Sequence, residues 1–314
     1  MSETTSPNSA MGIVVQGAAR SFGDVRAVRD VTLEAKPGEV TGLIGPNGSG
    51  KTTLLLMLAS LLVPDSGTIR IGGHDPVTES RDVRAIMGWM PDVLGSWPTL
   101  TVRATLELTG RLYRFDREKA ARRASELIRL VDLEPLADRP TRVLSRGQKQ
   151  RLSLARALVH DPRVLLLDEP ASGLDPTARV ALRRLVRTLA DEGRTILISS
   201  HVLAELDEMA DTAVYLDAGV TASADAIAAT RTSVRDWRVR SLAPEKLRAA
   251  LVAAGIAAKD ITEDGPGLLV PLNGEEAASA LLAALVHKKV PVTSFAPAVG
   301  DLEHTFLDLS EGGH

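Results

Sequence analysis

Apolar positions along the chain fall into two regimes. From residue 12 to about 221, short β-branched or leucine-rich runs alternate with longer stretches of helical period. The short runs predict strands at residues 13–16, 31–35, 40–44, 68–71, 86–90, 164–167, 195–199 and 213–216, and an apolar helix is predicted over 53–62. Residues 164–167 and 195–198 are apolar without alternation, the pattern of central parallel strands covered on both faces. Between residues 100 and 143 the strand signals vanish and helical period takes over, so residues 93–143 read as a helical insertion. After about residue 231 the order becomes strand (236–240), helix (244–254), two strands (258–262 and 267–271), helix (275–288), strand (290–295) and a closing helix (301–309).

The second regime's βαββαβ order is the ferredoxin-like arrangement. The pattern therefore divides the chain into a polar, Ser/Thr-rich leader (1–11) expected to be disordered, an α/β domain (12–230) and a small α+β domain (231–314). At 314 residues there is ample length for two cores. Composition changes the picture only by exclusion. A net charge of -3 offers no electrostatic footprint for nucleic acid, and none is expected as a partner. With no cysteine there can be no disulfide scaffold or thiolate metal site. The longest strongly apolar run, residues 54–63, is about half of what a bilayer crossing needs. A cytoplasmic location is expected, with any membrane role reached through a partner.

Candidate chemistry begins at Gly45-Pro46-Asn47-Gly48-Ser49-Gly50-Lys51-Thr52, which fits the phosphate-binding loop G-x4-G-K-S/T between a predicted strand and helix. Glycines let successive N–H groups turn inward around an anion, and the helix that Thr53 continues adds a positive dipole end. Lys51 supplies a point charge for the outer phosphates, and the Thr52 hydroxyl can ligate Mg2+. Downstream, the apolar run 164–167 ends in Asp168-Glu169, which puts two carboxylates at the carboxyl edge of a parallel sheet, where α/β proteins bind ligands. Asp168 suits a hard cation that bridges phosphates, and Glu169 suits a base that polarises water.

Leu144-Ser145-Arg146-Gly147-Gln148, followed by a helical apolar stretch, resembles the L-S-G-G-Q signature of ATP-binding cassette (ABC) ATPases. Ser172-Gly173-Leu174-Asp175 resembles that family's D-loop, His201 its switch histidine, and Phe22 the aromatic on which adenine stacks. The resemblance spans residues 12–221 with all motifs in register. It implies a P-loop NTPase cassette with a mostly parallel core sheet, an antiparallel β subdomain and a helical insertion. It also implies ATP and Mg2+ as ligands. Phe22, the loop from Gly45 to Thr53, and Ser145, Gly147, Gln148 and Asp175 would contact nucleotide. Lys51, Glu169 and His201 would act in catalysis, and Thr52 and Asp168 would hold the metal.

Two positions depart from the family pattern. Met87-Gly88-Trp89-Met90-Pro91-Asp92 has aspartate where the Q-loop glutamine stands, so Asp92 is carried over as a metal ligand of altered length and charge. Arg146 replaces the signature's first glycine, while Gly147 keeps the N–H that binds the anion. The resemblance further implies a second ATPase subunit that completes each site and a separate membrane permease docked on residues 93–143. A single cassette with a ferredoxin-like extension resembles the ATPase subunits of two-component bacterial exporters, peripheral on the cytoplasmic face. The rivals are a soluble ABC-type ATPase acting on translation or DNA, a P-loop kinase or GTPase, and a non-hydrolysing cassette. The single cassette and the absence of cysteine disfavour the first, the signature motif and D-loop the second, and the intact Lys51, Asp168, Glu169 and His201 the third.

Overall fold

The computed structural model describes residues 11–93, 95, 97–200, 202–223, 226–227, 234–265 and 267–311. The chain divides into two compact units, residues 1–221 and 222–314.

In the first unit nine strands form one sheet: β1 (Ile13–Phe22), β2 (Val25–Ala35), β3 (Val40–Ile44), β4 (Ser66–Ile71), β5 (Met87–Met90), β6 (Val164–Asp168), β7 (Thr195–Ser199), β8 (Thr212–Asp217) and β9 (Val220–Thr221). Their spatial order is β4-β1-β2-β9-β8-β3-β7-β6-β5. The block β8-β3-β7-β6-β5 is parallel throughout, whereas β4, β1 and β2 pair antiparallel. Strands β3, β6 and β7 are buried at every position, which is why their sequences show no alternation. Register aligns the carboxyl ends of four neighbouring strands. Leu43 pairs with Ser199, Ser199 with Asp168, and Met90 with Leu167. The phosphate loop, Ser199, the Asp168-Glu169 pair and Asp92 thus leave the sheet along one edge.

Strand β1 runs six residues beyond the predicted 13–16. Gly17, at φ +59°, marks a break in its register with β2, and the strand recovers as Ala18–Phe22. Helix α1 (Lys51–Leu58) stops four residues before its predicted end. Helices α2 (Ser80–Ile86), α3 (Val102–Leu112), α4 (Arg117–Leu130), α5 (Arg146–Ala157), α6 (Pro176–Asp191) and α7 (Leu203–Asp207) follow. The insertion contains α3 and α4, capped by Thr101 and Asp116, whose side chains accept from Ala104 N–H and Lys119 N–H. The core gathers Ile13, Val15, Leu43, Leu54, Met57, Leu58, Val164, Leu166 and Leu197 around α1.

The second unit holds β10 (Val234–Ser241), α8 (Pro244–Val252), β11 (Thr262–Asp264), β12 (Gly267–Asn273), α9 (Gly274–His287), β13 (Val292–Pro297) and α10 (Asp301–Glu311). The strands are antiparallel in the order β11-β12-β10-β13. Most of the predicted strand 258–262 is a 3-10 turn, Ala258–Asp260, and pairing begins only at Thr262. Trp237, Val239, Leu268, Val270 and Leu272 pack against Leu247, Leu251, Leu281 and Leu285 of the two helices, a core separate from that of the first unit. Among the described residues, no helix is long and apolar enough to cross a membrane.

Candidate active site

The phosphate loop leaves β3 at Gly45 and enters α1 through Gly50, whose φ of +101° is a conformation that L side chains rarely adopt. A Cβ at Gly50 would lie 2.3 Å from the Ala27 carbonyl oxygen, and one at Gly45 2.3 Å from the Leu216 carbonyl oxygen. The loop therefore fits against β2 and β8 only with glycine at both positions. Ser49 lies buried beneath it. Lys51 Nζ turns back over the loop and donates to the carbonyls of Gly45 (2.6 Å) and Pro46 (3.0 Å). Burial pushes the Lys51 pKa down, and the carboxylates of Glu169 and Asp168 pull it back up.

The loop forms one wall of a cleft of about 350 Å³ lined by Ala27, Asn47, Gly48, Gly50, Lys51, Thr52, Thr53, Asp92, Asp168 and Glu169. All but Ala27 were expected from the sequence. The lining sets three carboxylates against one ammonium. Such a donor set binds a polyanion poorly by itself, but it accepts one readily when a hard divalent cation comes with it. The Thr52 hydroxyl and the Asp168 carboxylate supply the oxygen ligands such a cation prefers, so the residues fit Mg2+.

Asp168 is only 7% exposed. Burial raises its pKa and the charge of Asp92 raises it further, while the Ser199 hydroxyl, the Asp92 backbone N–H and Lys51 lower it. Ser199 Oγ donates to Asp168 Oδ1 at 2.6 Å. The next residue, Glu169, has φ +52°, a left-handed conformation that costs a non-glycine residue on the order of 1 kcal/mol. It is held from both sides. Its N–H donates to Ser199 O and Ser199 Oγ, each at 3.2 Å, and its C=O accepts from Gln150 Nε2 at 2.7 Å and from Ser172 N–H at 3.1 Å.

Other expected site residues stand apart. Phe22 is 48% exposed at the end of β1, with the Arg20 guanidinium 5.1 Å over its ring, and it does not line the cleft. Ser145 caps α5 in a reciprocal pair: its hydroxyl accepts from Gln148 N–H (3.2 Å), and Gln148 Oε1 accepts from Ser145 N–H (2.9 Å). Asp175 caps α6 by accepting from Ala178 N–H at 2.9 Å. Neither Ser145, Gly147, Gln148 nor Asp175 lines the cleft. His201 lies outside the described residues.

Sequence reasoning missed Ser199 and Gln150. A hydroxyl pair closing an apolar strand, Ser199-Ser200, is a signal that could have pointed to the first. An amide four residues into a helix gives no such signal, and only the fold shows Gln150 buried against Glu169.

This arrangement has known counterparts. Residues 28–172 match the ABC transporter family. Over 301 residues the chain is 34% identical to Daunorubicin resistance ATP-binding protein DrrA3 of Streptomyces coeruleorubidus, covering 95% of each. The chain belongs to the ABC transporter ATP-binding proteins. It is also 36% identical over 212 residues to ABC transporter ATP-binding protein NatA of Bacillus subtilis, covering 66% of this chain and 86% of that protein. Among solved structures, an ATP-binding subunit of an ABC transporter superposes with a TM-score of 0.63 at 28% identity, over 68% of this chain and 91% of that one. A dimeric cassette in a post-hydrolysis state, bound to ADP and Pi, does so with a TM-score of 0.62 at 26% identity, over 67% of this chain and 97% of that one. The ABC protein described here binds ATP and hydrolyses it as the ATP-binding subunit of a transporter.

Proposed function

We propose that this subunit drives export through a separate permease, and that its ATP sites form between two cassettes. One observation carries the reading. The start of α5, with the Ser145 cap and the N–H groups of Arg146 and Gly147 in the first helical turn, does not line its own chain's cleft. Among the described residues, the cleft lining offers Lys51 and the loop on one wall and acids on the other, and a second chain's α5 would bring further N–H donors to the γ-phosphate. Export is the activity in the names of relatives such as the Nod factor export ATP-binding protein of Burkholderia lata, 40% identical over 200 residues.

Within each site, Lys51 and the loop N–H groups hold the β- and γ-phosphates. Thr52, Asp168 and Asp92 hold Mg2+, which neutralises phosphate charge when bound. Glu169 accepts a proton from the attacking water as its oxygen bonds to the γ-phosphorus and the bond to the β-phosphate oxygen breaks. His201 contacts the γ-phosphate and orients that water. Loss of the γ-phosphate removes the bridge between cassettes and lets them part. Residues 93–143 receive the permease on the cytoplasmic face of the membrane. The second unit is a ferredoxin-like module that stabilises the dimer or regulates it.

Glu169→Gln keeps the shape of the base and removes its proton acceptor. Hydrolysis is expected to fall roughly 100- to 1000-fold while an ATP-bound dimer accumulates on size exclusion with light scattering. Hydrolysis by Glu169→Gln at the parent rate would remove Glu169 from the role of base.

A further inference from the structure

Arg146 and Gln150 stand four residues apart, so they share one face of α5, and both reach the same short segment of chain. Arg146 Nη2 donates to Ser172 Oγ at 2.8 Å, and its side chain packs on Gly173 so closely that a Cβ there would lie 2.8 Å from Arg146 Cδ. One turn along, Gln150, 1% exposed, donates to the Glu169 carbonyl at 2.7 Å. Between the two, a Cβ on Gly147 would approach the Gly173 carbonyl oxygen to 3.1 Å, so the helix backbone itself lies against the D-loop. Glu169 and Ser172 are also tied to each other, Ser172 N–H to Glu169 C=O at 3.1 Å.

We infer that Arg146 and Gln150 form a two-point clamp that makes the helix bearing Ser145 and the 169–175 segment bearing Glu169 move as one body. The inference rests on the composite-site reading above, and gives it a route. Engagement of the start of α5 by the partner cassette's nucleotide bears on the base in this chain's own cleft through Gln150, and on the D-loop through Arg146. Arg146, which departs from the family glycine, thereby has work that glycine cannot do. Both residues are positioning residues, since neither lines the cleft. Gln150 is the stronger arm, because the carbonyl it holds belongs to a residue in a left-handed conformation, where a small rotation swings the carboxylate away from its water.

The test uses the full chain, with steady-state ATPase titrated against ATP and affinity for a fluorescent ATP analogue measured in parallel. Gln150→Ala and the isosteric Gln150→Glu, which removes the donor, are expected to lower kcat roughly 10- to 100-fold. KM and analogue affinity should stay within about twofold, since the phosphate loop is untouched. Arg146→Gly and Ser172→Ala each lower kcat by about three- to tenfold, and the double variant is no worse than the lower single, because both delete one hydrogen bond. Gln150→Ala at the parent kcat, losses at Arg146 and Ser172 that multiply, or a KM that climbs in step with the fall in kcat would each overturn the clamp. Failure of the composite-site reading shows differently, as parent turnover per chain that does not rise with protein concentration, and it removes the cross-site route as well.

Discussion

Asp92 lines the site at the position where the family resemblance implies the Q-loop glutamine. It follows β5 by two residues and lines the cleft with Asp168 and Glu169, so a third carboxylate stands where the family carries an uncharged amide. Its backbone N–H already serves Asp168, and its side chain adds negative charge beside the same group. A charged oxygen donor holds a hard cation more tightly than an amide oxygen does. Asp92→Gln is therefore expected to raise the Mg2+ concentration for half-maximal ATPase several-fold, by roughly 1 kcal/mol, with KM for ATP at saturating Mg2+ nearly unchanged. In a reconstituted complex with the permease, the same variant should change coupled turnover more than ATP affinity. Equal effects on both would count against a relay through this position. At this scale the loop and the Asp168-Glu169 pair were legible because phosphate and metal chemistry demand particular residue types at particular spacings. Gln150 was not, since its amide serves the backbone carbonyl of Glu169 and that demand leaves no spacing in the sequence, and Ser199 left only the weak trace of a hydroxyl pair closing an apolar strand.

At the scale of elements, helix ends were the hardest features to read, and the reason is physical. Helix α1 closes with Leu61 N–H bonded to Leu56 C=O and Ser60 N–H to Met57 C=O, the paired bonds of a Schellman stop, with Ser60 left-handed at φ +60°. The same closure ends α3 at Arg114 (φ +63°), α4 at Asp132 (φ +53°) and α9 at Lys289 (φ +54°). After α6 and α8 a glycine, Gly193 and Gly255 respectively, fills the left-handed place, and there the stop could be seen in the sequence. Elsewhere an L residue takes a conformation it resists, so composition carries no punctuation and the predicted 53–62 helix overran. The central strands were the opposite case. Burial on both faces favours apolar residues through the middle of β6 and β7, and the runs 164–167 and 196–198 carry that demand directly in the chain. The exposed stop at Arg114 offers a test. Arg114→Gly removes the left-handed penalty at some cost in unfolded-state entropy, and should stabilise the protein by up to about 1 kcal/mol in urea denaturation. A loss of stability would mean that the arginine side chain makes up for its backbone.

For the whole molecule the decisive question is whether one chain holds a complete site. The cleft has the phosphate loop, the acids and Thr52, whereas the helix start with Ser145 and Gly147 lies elsewhere. If sites are shared, two inactive variants can complement each other. Lys51→Ala weakens the phosphate loop by losing a charge-assisted contact worth about 2 kcal/mol or more. Ser145→Arg fills the start of α5 and removes its hydroxyl. Each variant alone gives dimers in which both sites carry one damaged half. Mixed in equal amounts and allowed to exchange, half of the dimers pair one of each. In those dimers one site carries both lesions, and the other joins the intact Lys51 of one chain to the intact Ser145 of the other. With independent sites, the mixture should recover about a quarter of the parent ATPase, against near zero for either variant alone. A recovery well below that, in a mixture shown by differently tagged chains to contain the mixed dimer, would mean that both sites must fire together. Unimpaired hydrolysis by Ser145→Arg on its own would mean that each chain completes its own site, and the sandwich would no longer explain why the start of α5 does not line the cleft of its own chain.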